Sequence, residues 1–299
     1  MLTIVIVNFY SEQLIKNCVD SIIKSENLEK PNIVVVDNGS KTSILKDLEK
    51  EGVLQLVKNP ENKGFGKACN IGAKLGDSKY LLFLNPDTKV YNKSLVNAID
   101  FLENNSSITV LGCKQIDENN RIHRSCARYV SLPRYLNKLL RLNKIFPKIF
   151  KGWHMSDWDH NTSSYVDHVI GAFYLIRRED FVNVDGFCED YFVYYEDLDL
   201  SKKITDVGGK IYYNADIEIF HEGGGTSQNV KAERLFYSLD SFLLFSKKHL
   251  NYISYLIIAF FVLFVEPFLR LFSQIIALNK IGFLEIIKSY KMLDKKRFL

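Results

Sequence analysis

Carboxylates stand in this sequence where chemistry is commonly placed. The run "LLFLNPDTKV", Leu81 to Val90, begins as an apolar strand and turns abruptly into Asn85-Pro86-Asp87-Thr88. A stretch that reads as buried on both faces therefore delivers an aspartate, restrained by a proline, at its tip. Asp37 ends a second such run, "NIVVVDNGS". Further along, "YYEDLDL" crowds Glu196, Asp197 and Asp199 at a helix start, and "HEGGGTS" sets His221 beside Gly223, Gly224 and Gly225. Groups of this kind hold hard cations or move protons. "NKGFGKACNIG" places Gly64 and Gly66 before a helix, which permits close backbone approach to a ligand and leaves N–H groups free. As a dinucleotide fingerprint it fails at Cys69, where the third glycine would stand.

The elements that would position these residues alternate. From Met1 to about Asp87, β-branched runs are interleaved with amphipathic stretches, the pattern of parallel strands joined by crossover helices. "TIVIVNF", "NIVVVDNGS", "VLQLVKN" and "YLLFLNPD" read as strands. "EQLIKNCVDSIIKS" reads as a helix with Leu14, Cys18, Ile22 and Ile23 on its inner face, and "GKACNIGAKLG" as a helix capped at Gly76. Each strand ends in polar residues: Asn8, Asp37 with Asn38, Asn59, and Asn85 with Asp87. Any one of them is an ordinary turn former. Together, at the carboxyl ends of strands in an open α/β sheet, they are expected to converge on one cleft.

Beyond Asn92 the pattern loosens. A helix "SLVNAIDFLENN" and a strand "ITVLGCKQI" precede a basic, aromatic stretch, "RYLNKLLRLNKIFPKIFKGWHMSDWDHN", which reads as a loop-rich insertion or lid. "YVDHVIGAFYLIRRED" reads as a strand running into a helix, and "KIYYNADIEIFHEGGGTS" as a strand pair ending in a glycine run. These features predict a catalytic domain over 1–246 and a tail over 247–299.

Bulk properties narrow the class. A chain of 299 residues, 47% hydrophobic and 25% charged, is globular, and a net charge of +4 gives no argument for a nucleic-acid partner. The five cysteines form no C-x-x-C pair and read as reduced thiols of a cytosolic protein. "MLTIVIVNFY" enters a strand without a basic region or cleavage site, so the catalytic part is expected in the cytoplasm. From Tyr252 to Val265 the chain is almost wholly apolar, about 14 residues against the roughly 20 that span a bilayer, and Glu266-Pro267 is expected to interrupt it. The lysine-rich amphipathic remainder suits helices lying in a membrane interface, the alternative being a hairpin that covers the core.

In order, "VVVDNGS", "NKGFGKACNIG", "LFLNPD", "GAFYLIRRED", "YEDLDL" and "HEGGGTS" resemble the family 2 glycosyltransferases, most of all their rhamnosyltransferase-like members. The resemblance covers most of Leu2 to Ser246 and implies the α/β GT-A fold, a Rossmann-like, mainly parallel sheet flanked by helices. It implies an inverting transfer from a nucleotide sugar, most simply dTDP-rhamnose or else a UDP-hexose, to a polyprenyl-diphosphate-linked saccharide at the cytoplasmic face of the membrane. Asp37 would accept the imide N–H of a pyrimidine, within a donor pocket also formed by Val7, Asn8, Phe9, Asn38, Asn62, Gly64, Gly66, Lys67, Asn70, Asn85 and Pro86. Asp87, the last residue of a D-x-D motif whose first acid is replaced by Asn85, would hold Mg2+ or Mn2+ together with His221. Asp197 would be the base, with Glu196 beside it, and Gly171 and Ala172 would line the sugar and acceptor pocket. Trp153 would stack on a sugar there or pack in a core, and Trp158 likewise.

Local alternatives accompany several of these roles: capping by Asp37, a solvated Lys67, and a helix-dipole role for Glu196 and Asp199. The family often has arginine where this chain has Cys69. A nucleotide-dependent oxidoreductase is excluded by the broken glycine pattern, and an inactive membrane-bound scaffold is the remaining rival.

Overall fold

A computed structural model describes residues 1–25, 27–40, 42–223, 231–294 and 297–298. The chain runs β1 (Leu2–Asn8), α1 (Glu12–Ile23), β2 (Asn32–Asn38), α2 (Ser43–Lys50), β3 (Gln55–Asn59), α3 (Phe65–Ala73), β4 (Tyr80–Leu84) and β5 (Thr88–Val90). It continues through α4 (Ser94–Asn104), β6 (Val110–Ile116), β7 (Ile122–His123), β8 (Cys126–Ala127), α5 (Leu132–Leu139) and α6 (Leu142–Ile145). Next come β9 (Ser164–Tyr165), β10 (His168–Val169), β11 (Phe173–Arg177), α7 (Arg178–Asn183), α8 (Glu196–Asp206) and β12 (Ile211–His221). Helices α9 (Lys231–His249), α10 (Tyr252–Phe260), α11 (Glu266–Ile276) and α12 (Lys280–Met292) complete it, with a π-helical segment, Phe261–Val265, joining α10 to α11. Two compact units result, one of Met1–Tyr129, Trp158–Phe192 and Glu196–Thr226, the other of Val130–Asp157, Val193–Tyr195 and Ser227–Leu299.

The first unit is built on a mixed sheet of order β3-β2-β1-β4-β11-β6-β12-β5. β1 is parallel to β2 and β4, as crossover helices require, and β11 then enters antiparallel to β4. β4 is the pivot. Tyr80 to Leu84 are each no more than 1% exposed, because both faces of a central strand are covered by helices. Helix α1 buries Ile15, Cys18, Val19 and Ile22 while Ile23 is exposed, so its inner face is rotated slightly from the one expected from Leu14 and Ile23.

One expectation is corrected and another refined. Residues 211–221 form one strand, not a pair: Asn214 accepts the Asp216 N–H in a local turn, and the pairing with β6 shifts register between Asn214 and Glu218. The basic stretch after Ser131 is loop-rich as expected, but it opens with two short helices, α5, capped by Ser131 with Pro133 in its first turn, and α6.

In the second unit α5, α9, α10, α11 and α12 surround Tyr135, Trp153 and Phe242. Pro267 does not break the apolar helix. A proline removes the N–H that would reach back one turn and crowds the carbonyl there, and the wider π-helical turn immediately before it accommodates both effects. Tyr252–Ile276 is consequently a continuous 25-residue helix containing an 18-residue window of mean hydropathy 2.1, long and apolar enough by composition to cross a membrane.

Arg177, at the end of β11, fixes the far side of the sheet. Its guanidinium donates to the carbonyls of Ile108 (3.1 Å), Leu102 (2.6 Å) and Asn105 (3.3 Å) and to Tyr80 Oη (3.2 Å). Loss of these partners leaves several part-buried acceptors unmatched, so Arg177→Met is expected to lower unfolding stability by about 2 kcal/mol. A denaturant midpoint unchanged from wild type would refute this.

Candidate active site

The arm that carries Asp87 and His221 is made by strand pairing. After β4, Asn85 donates its N–H to Ala172 O (3.1 Å), and its own carbonyl takes Thr88 Oγ1 (2.7 Å) in a tight turn around Pro86. β5 then pairs antiparallel with β12 so that Thr88 lies opposite His221, and the Glu222 N–H donates to Asp87 O (3.0 Å). That register brings His221 Nε2 to 3.4 Å from Asp87 Oδ1. Both side chains are over 90% buried. His221 Nδ1 lies 2.8 Å from Gln115 Oε1, which is an acceptor, so Nδ1 carries a ring proton and Nε2 is the nitrogen that would offer a lone pair to a cation held with Asp87.

Two acceptors facing each other in a buried site suit a shared divalent cation. Ligands at adjacent positions around such an ion, each about 2 Å from it, stand roughly 3 Å apart. The Gln115 contact is the outer-shell support that fixes a ligating imidazole. Among the described residues no three His, Cys, Asp or Glu side chains are grouped as a complete metal cage, so among them this pair alone would supply such side-chain ligands. His123 packs beside it, its ring 5.5 Å from that of His221 and its Nε2 buried without a hydrogen-bond partner. Burial, and then His221, hold the His123 imidazole below its ordinary pKa.

The Asp197 pocket adjoins through two residues. Ala172 takes the Asn85 N–H, and its neighbour Gly171 donates its own N–H to Asp197 Oδ2 (2.9 Å). Asp197 Oδ1 accepts the Leu198 N–H (2.8 Å), and His168 Nε2 lies 3.6 Å from Oδ2. The chain reaches α8 through Tyr194 and Tyr195, both left-handed at φ 70° and 67°, a conformation costing about 1 kcal/mol or more per non-glycine residue. Glu196 is buried against the Cα of Gly66, with Oε2 lacking a partner. Desolvation, and then the Asp197 charge, raise its carboxyl well above the ordinary carboxylate range. Asp199 accepts Tyr191 Oη (3.1 Å).

At the β1 and β2 tips, Asn8 lies opposite Asp37 and donates to its Oδ1 (2.7 Å), while the Ser40 N–H and Oγ also donate to that carboxylate. The turn-forming alternative for Asp37 is thus realised, and the same bonds fix its carboxylate. Val7 is buried and Phe9 is 43% exposed beside them. Asn38 links Asn59 (2.8 Å) to Gly64 O (3.0 Å), and Asn62 accepts the Gly64 N–H (2.9 Å).

Other expected donor-pocket residues are engaged within the protein. A Cβ on Gly64, at φ +87°, would lie 2.3 Å from Phe192 O, and one on Gly66 would lie 3.1 Å from Phe187 Cβ. Both glycines therefore admit the 187–196 segment, where ligand approach was expected. Asn70 holds the N–H and C=O of Phe187 (2.9 Å each), and Lys67 pairs with Glu189 (3.0 Å). A Cβ on Gly171 would meet Asp197 Oδ2 only at 3.5 Å, an ordinary contact. Trp153 is buried in the second unit against Phe242, under Lys138, and Trp158 packs on His160 and Tyr213. Gly224 and Gly225 lie outside the described residues. Sequence reasoning missed Gln115, His123 and His168, whose signal exists only in strand pairing.

Fold and site together define a glycosyltransferase of GT-A type. The chain belongs to the Glycosyl transferase family 2, whose sequence model matches residues 3–162. It is 29% identical over 230 residues to the rhamnosyltransferase WbbL of Escherichia coli K12, covering 74% of this chain and 82% of that protein. It is 24% identical over 217 residues to the N-acetylglucosaminyl-diphospho-decaprenol L-rhamnosyltransferase of Mycobacterium tuberculosis H37Rv, covering 64% and 67%. Among solved structures, a Pyrobaculum calidifontis mannosyltransferase in complex with GDP-Man and Mn2+ superposes with a TM-score of 0.57 at 14% identity, over 96% of this chain and 73% of that one. Staphylococcus aureus TarS 1-349 with UDP-GlcNAc gives 0.57 at 19% identity, over 84% and 66%.

The raised carboxyl of Glu196 has a consequence for stability. A folded-state pKa above the unfolded value stabilises the fold while the proton is retained, and this contribution is lost as pH rises through the folded pKa. Because the unfolded carboxyl ionises near 4.5, that loss begins in mildly acidic solution, so Glu196→Gln is expected to flatten the fall in melting temperature from there upward and to melt no lower than wild type at neutral pH. A wild-type pH slope in the variant would show Glu196 to be ionised in the fold.

Proposed function

We propose that this enzyme transfers L-rhamnose, with inversion, from dTDP-rhamnose to a hydroxyl of a polyprenyl-diphosphate-linked saccharide on the cytoplasmic face of the cell membrane. The observation that carries this reading is the pairing of Asp87 with His221 at 3.4 Å, connected through Ala172 and Gly171 to Asp197. The two rhamnosyltransferases among the relatives support the sugar, and the decaprenol-linked substrate in the name of one supports the acceptor.

In this mechanism Asp37 accepts the pyrimidine imide N–H, and the exposed Phe9 ring offers a face to the base. Asp87 and His221 would hold Mg2+ or Mn2+, which when bound neutralises charge on the departing diphosphate. Asp197 takes the proton of the acceptor hydroxyl as its oxygen forms a bond to the anomeric carbon. The bond from that carbon to the diphosphate oxygen breaks on the opposite face, which inverts the centre. A UDP-hexose is the second reading. Thymine and uracil share the imide N–H, so Asp37 serves either, and the UDP-GlcNAc bound by TarS favours it.

A donor panel decides between them. Nucleotide release is expected from dTDP-rhamnose with a polyprenyl-linked acceptor, abolished by a chelator, restored by Mg2+ or Mn2+, and lowered about 10²- to 10⁴-fold in Asp197→Asn. Full activity of Asp197→Asn would overturn the base, and turnover with UDP-hexoses alone would overturn the donor.

Membrane contact is assigned to the Tyr252–Ile276 helix. Its outer face carries Phe260, Phe264, Phe268, Phe272 and Ile276, all exposed. Its inner face holds Glu266, which pairs with Arg270 (2.5 Å) and contacts Tyr135 Oη (3.4 Å) within the second unit. A helix covered by protein along one side suits lying in the interface better than spanning. Replacing Phe264, Phe268 and Phe272 by serine removes about 1.5 kcal/mol or more of apolar burial per side chain. Co-sedimentation with anionic vesicles should then fall by at least tenfold, and undiminished co-sedimentation would refute the assignment.

A further inference from the structure

Behind Asp197 lies a buried polar chain that the proposed mechanism does not use. His168 (3% exposed) stands on β10 with its ring between two residues of α8: Nε2 is 3.6 Å from Asp197 Oδ2, and Nδ1 is 2.8 Å from Ser201 Oγ. Asp197 and Ser201 are four residues apart and so share one helix face. Tyr174 Oη, from β11, is 3.2 Å from Ser201 Oγ. His168, Ser201 and Tyr174 are all closed to solvent.

The carboxylate fixes the direction of these bonds. Asp197 Oδ2 only accepts, so the Nε2 facing it carries the proton. Nδ1 is then an acceptor and takes the Ser201 hydroxyl, whose oxygen takes the Tyr174 hydroxyl. Donors therefore point one way, from Tyr174 through Ser201 and His168 to Asp197. The opposite tautomer would set a lone pair against a carboxylate oxygen in a buried site, which is costly. The last contact exceeds an ordinary hydrogen bond by roughly 0.6 Å, the kind of slack that closes when a ligand orders a site.

We infer that His168 is a positioning residue for the transfer: closing on Asp197 Oδ2 beside the Gly171 N–H, it sets two donors on Oδ2 against the single Leu198 N–H on Oδ1, and so presents Oδ1 to the acceptor hydroxyl. This rests on Asp197 being the base. During the step the acceptor O–H bond breaks and its proton forms a bond to Oδ1, while His168 keeps its own proton throughout. Its contribution is orientation, and so should fall on turnover and spare donor binding.

The test uses the full chain with three replacements at one position. Gln can place its amide nitrogen near the site of Nε2, Asn can reach Ser201 but not Asp197, and Leu can do neither. His168→Leu and His168→Asn are expected to lower kcat at least about tenfold with donor KM within about twofold, whereas His168→Gln stays within about threefold of wild type. In an Asp197→Asn background, His168→Leu should cause no further loss. Melting temperatures identify any variant that fails to fold, and the comparison of Gln with Asn then carries the test. Equal kcat for Gln and Asn, or an undiminished effect of His168→Leu without Asp197, would overturn the inference. Wild-type activity of Asp197→Asn alone would instead remove the base on which it rests.

Discussion

The antiparallel pairing of β11 with β4 sets the spacing of the chemistry. Phe173 lies opposite Leu84, and one step further Ala172 takes the Asn85 N–H as the last rung of the ladder. The next residue, Gly171, turns its N–H to Asp197. A peptide unit is rigid and the rungs are short, so the tip that carries Asp87 and the helix that carries Asp197 cannot drift independently. The buried body of β4 fixes the tip, and the tip fixes the site. A strand apolar on both faces but ending in Asn-Pro-Asp is what that arrangement requires.

Assembling this site concentrates ionisable groups away from water, which is unfavourable unless each is compensated. Four different compensations are present. Asp87 and His221 face each other in a geometry that suits a cation, with Gln115 holding the imidazole. Glu196, pressed against Gly66 next to a second acid, has its carboxyl raised well above the ordinary carboxylate range. Burial holds the His168 imidazole below its ordinary pKa, with Ser201 Oγ bonded at Nδ1 and Asp197 Oδ2 standing 3.6 Å from Nε2. The charge of Asp197 is met by two backbone N–H groups, which are fixed dipoles and need no counter-ion. Acidic neighbours at positions 196 and 197 can coexist because only one of them is required to be ionised.

The first half of the sheet was legible because its signals are local. Apolar runs four to seven residues long and polar strand ends are written in consecutive residues, and they located Asn8, Asp37 and Asp87. Motif order singled out Asp197 and His221, which the fold sets against Gly171 and Asp87. Gln115, His123 and His168 were not legible, since each acquires its meaning from a strand partner or a helix far away in sequence. The glycines misled in a particular way. Absence of a side chain at Gly64 and Gly66 signals a close neighbour, but the sequence does not say whether that neighbour is ligand or protein. Asn214 and Asp216 imitate a turn while forming a bulge, and Pro267 imitates a helix end while a π-helical turn absorbs it.

The same reasoning bears on how a diphosphate would be received. A glycine-rich loop opening a helix ordinarily offers free N–H groups to phosphate. Here the Gly64 N–H goes to Asn62 and the Phe65 N–H to Phe192 O, Lys67 is paired with Glu189, and Cys69 is a fully buried thiol pushed well above its ordinary pKa. The start of α3 is therefore organised to hold the 187–196 segment, and through it the entry to α8, more than to bind an anion. Under the proposed function, neutralisation of the leaving group falls correspondingly on the corner formed by Asp87 and His221. With Asn85 in place of an acid, that corner has one negative charge fewer than a D-x-D site, and a cation held there retains more of its own charge for the diphosphate.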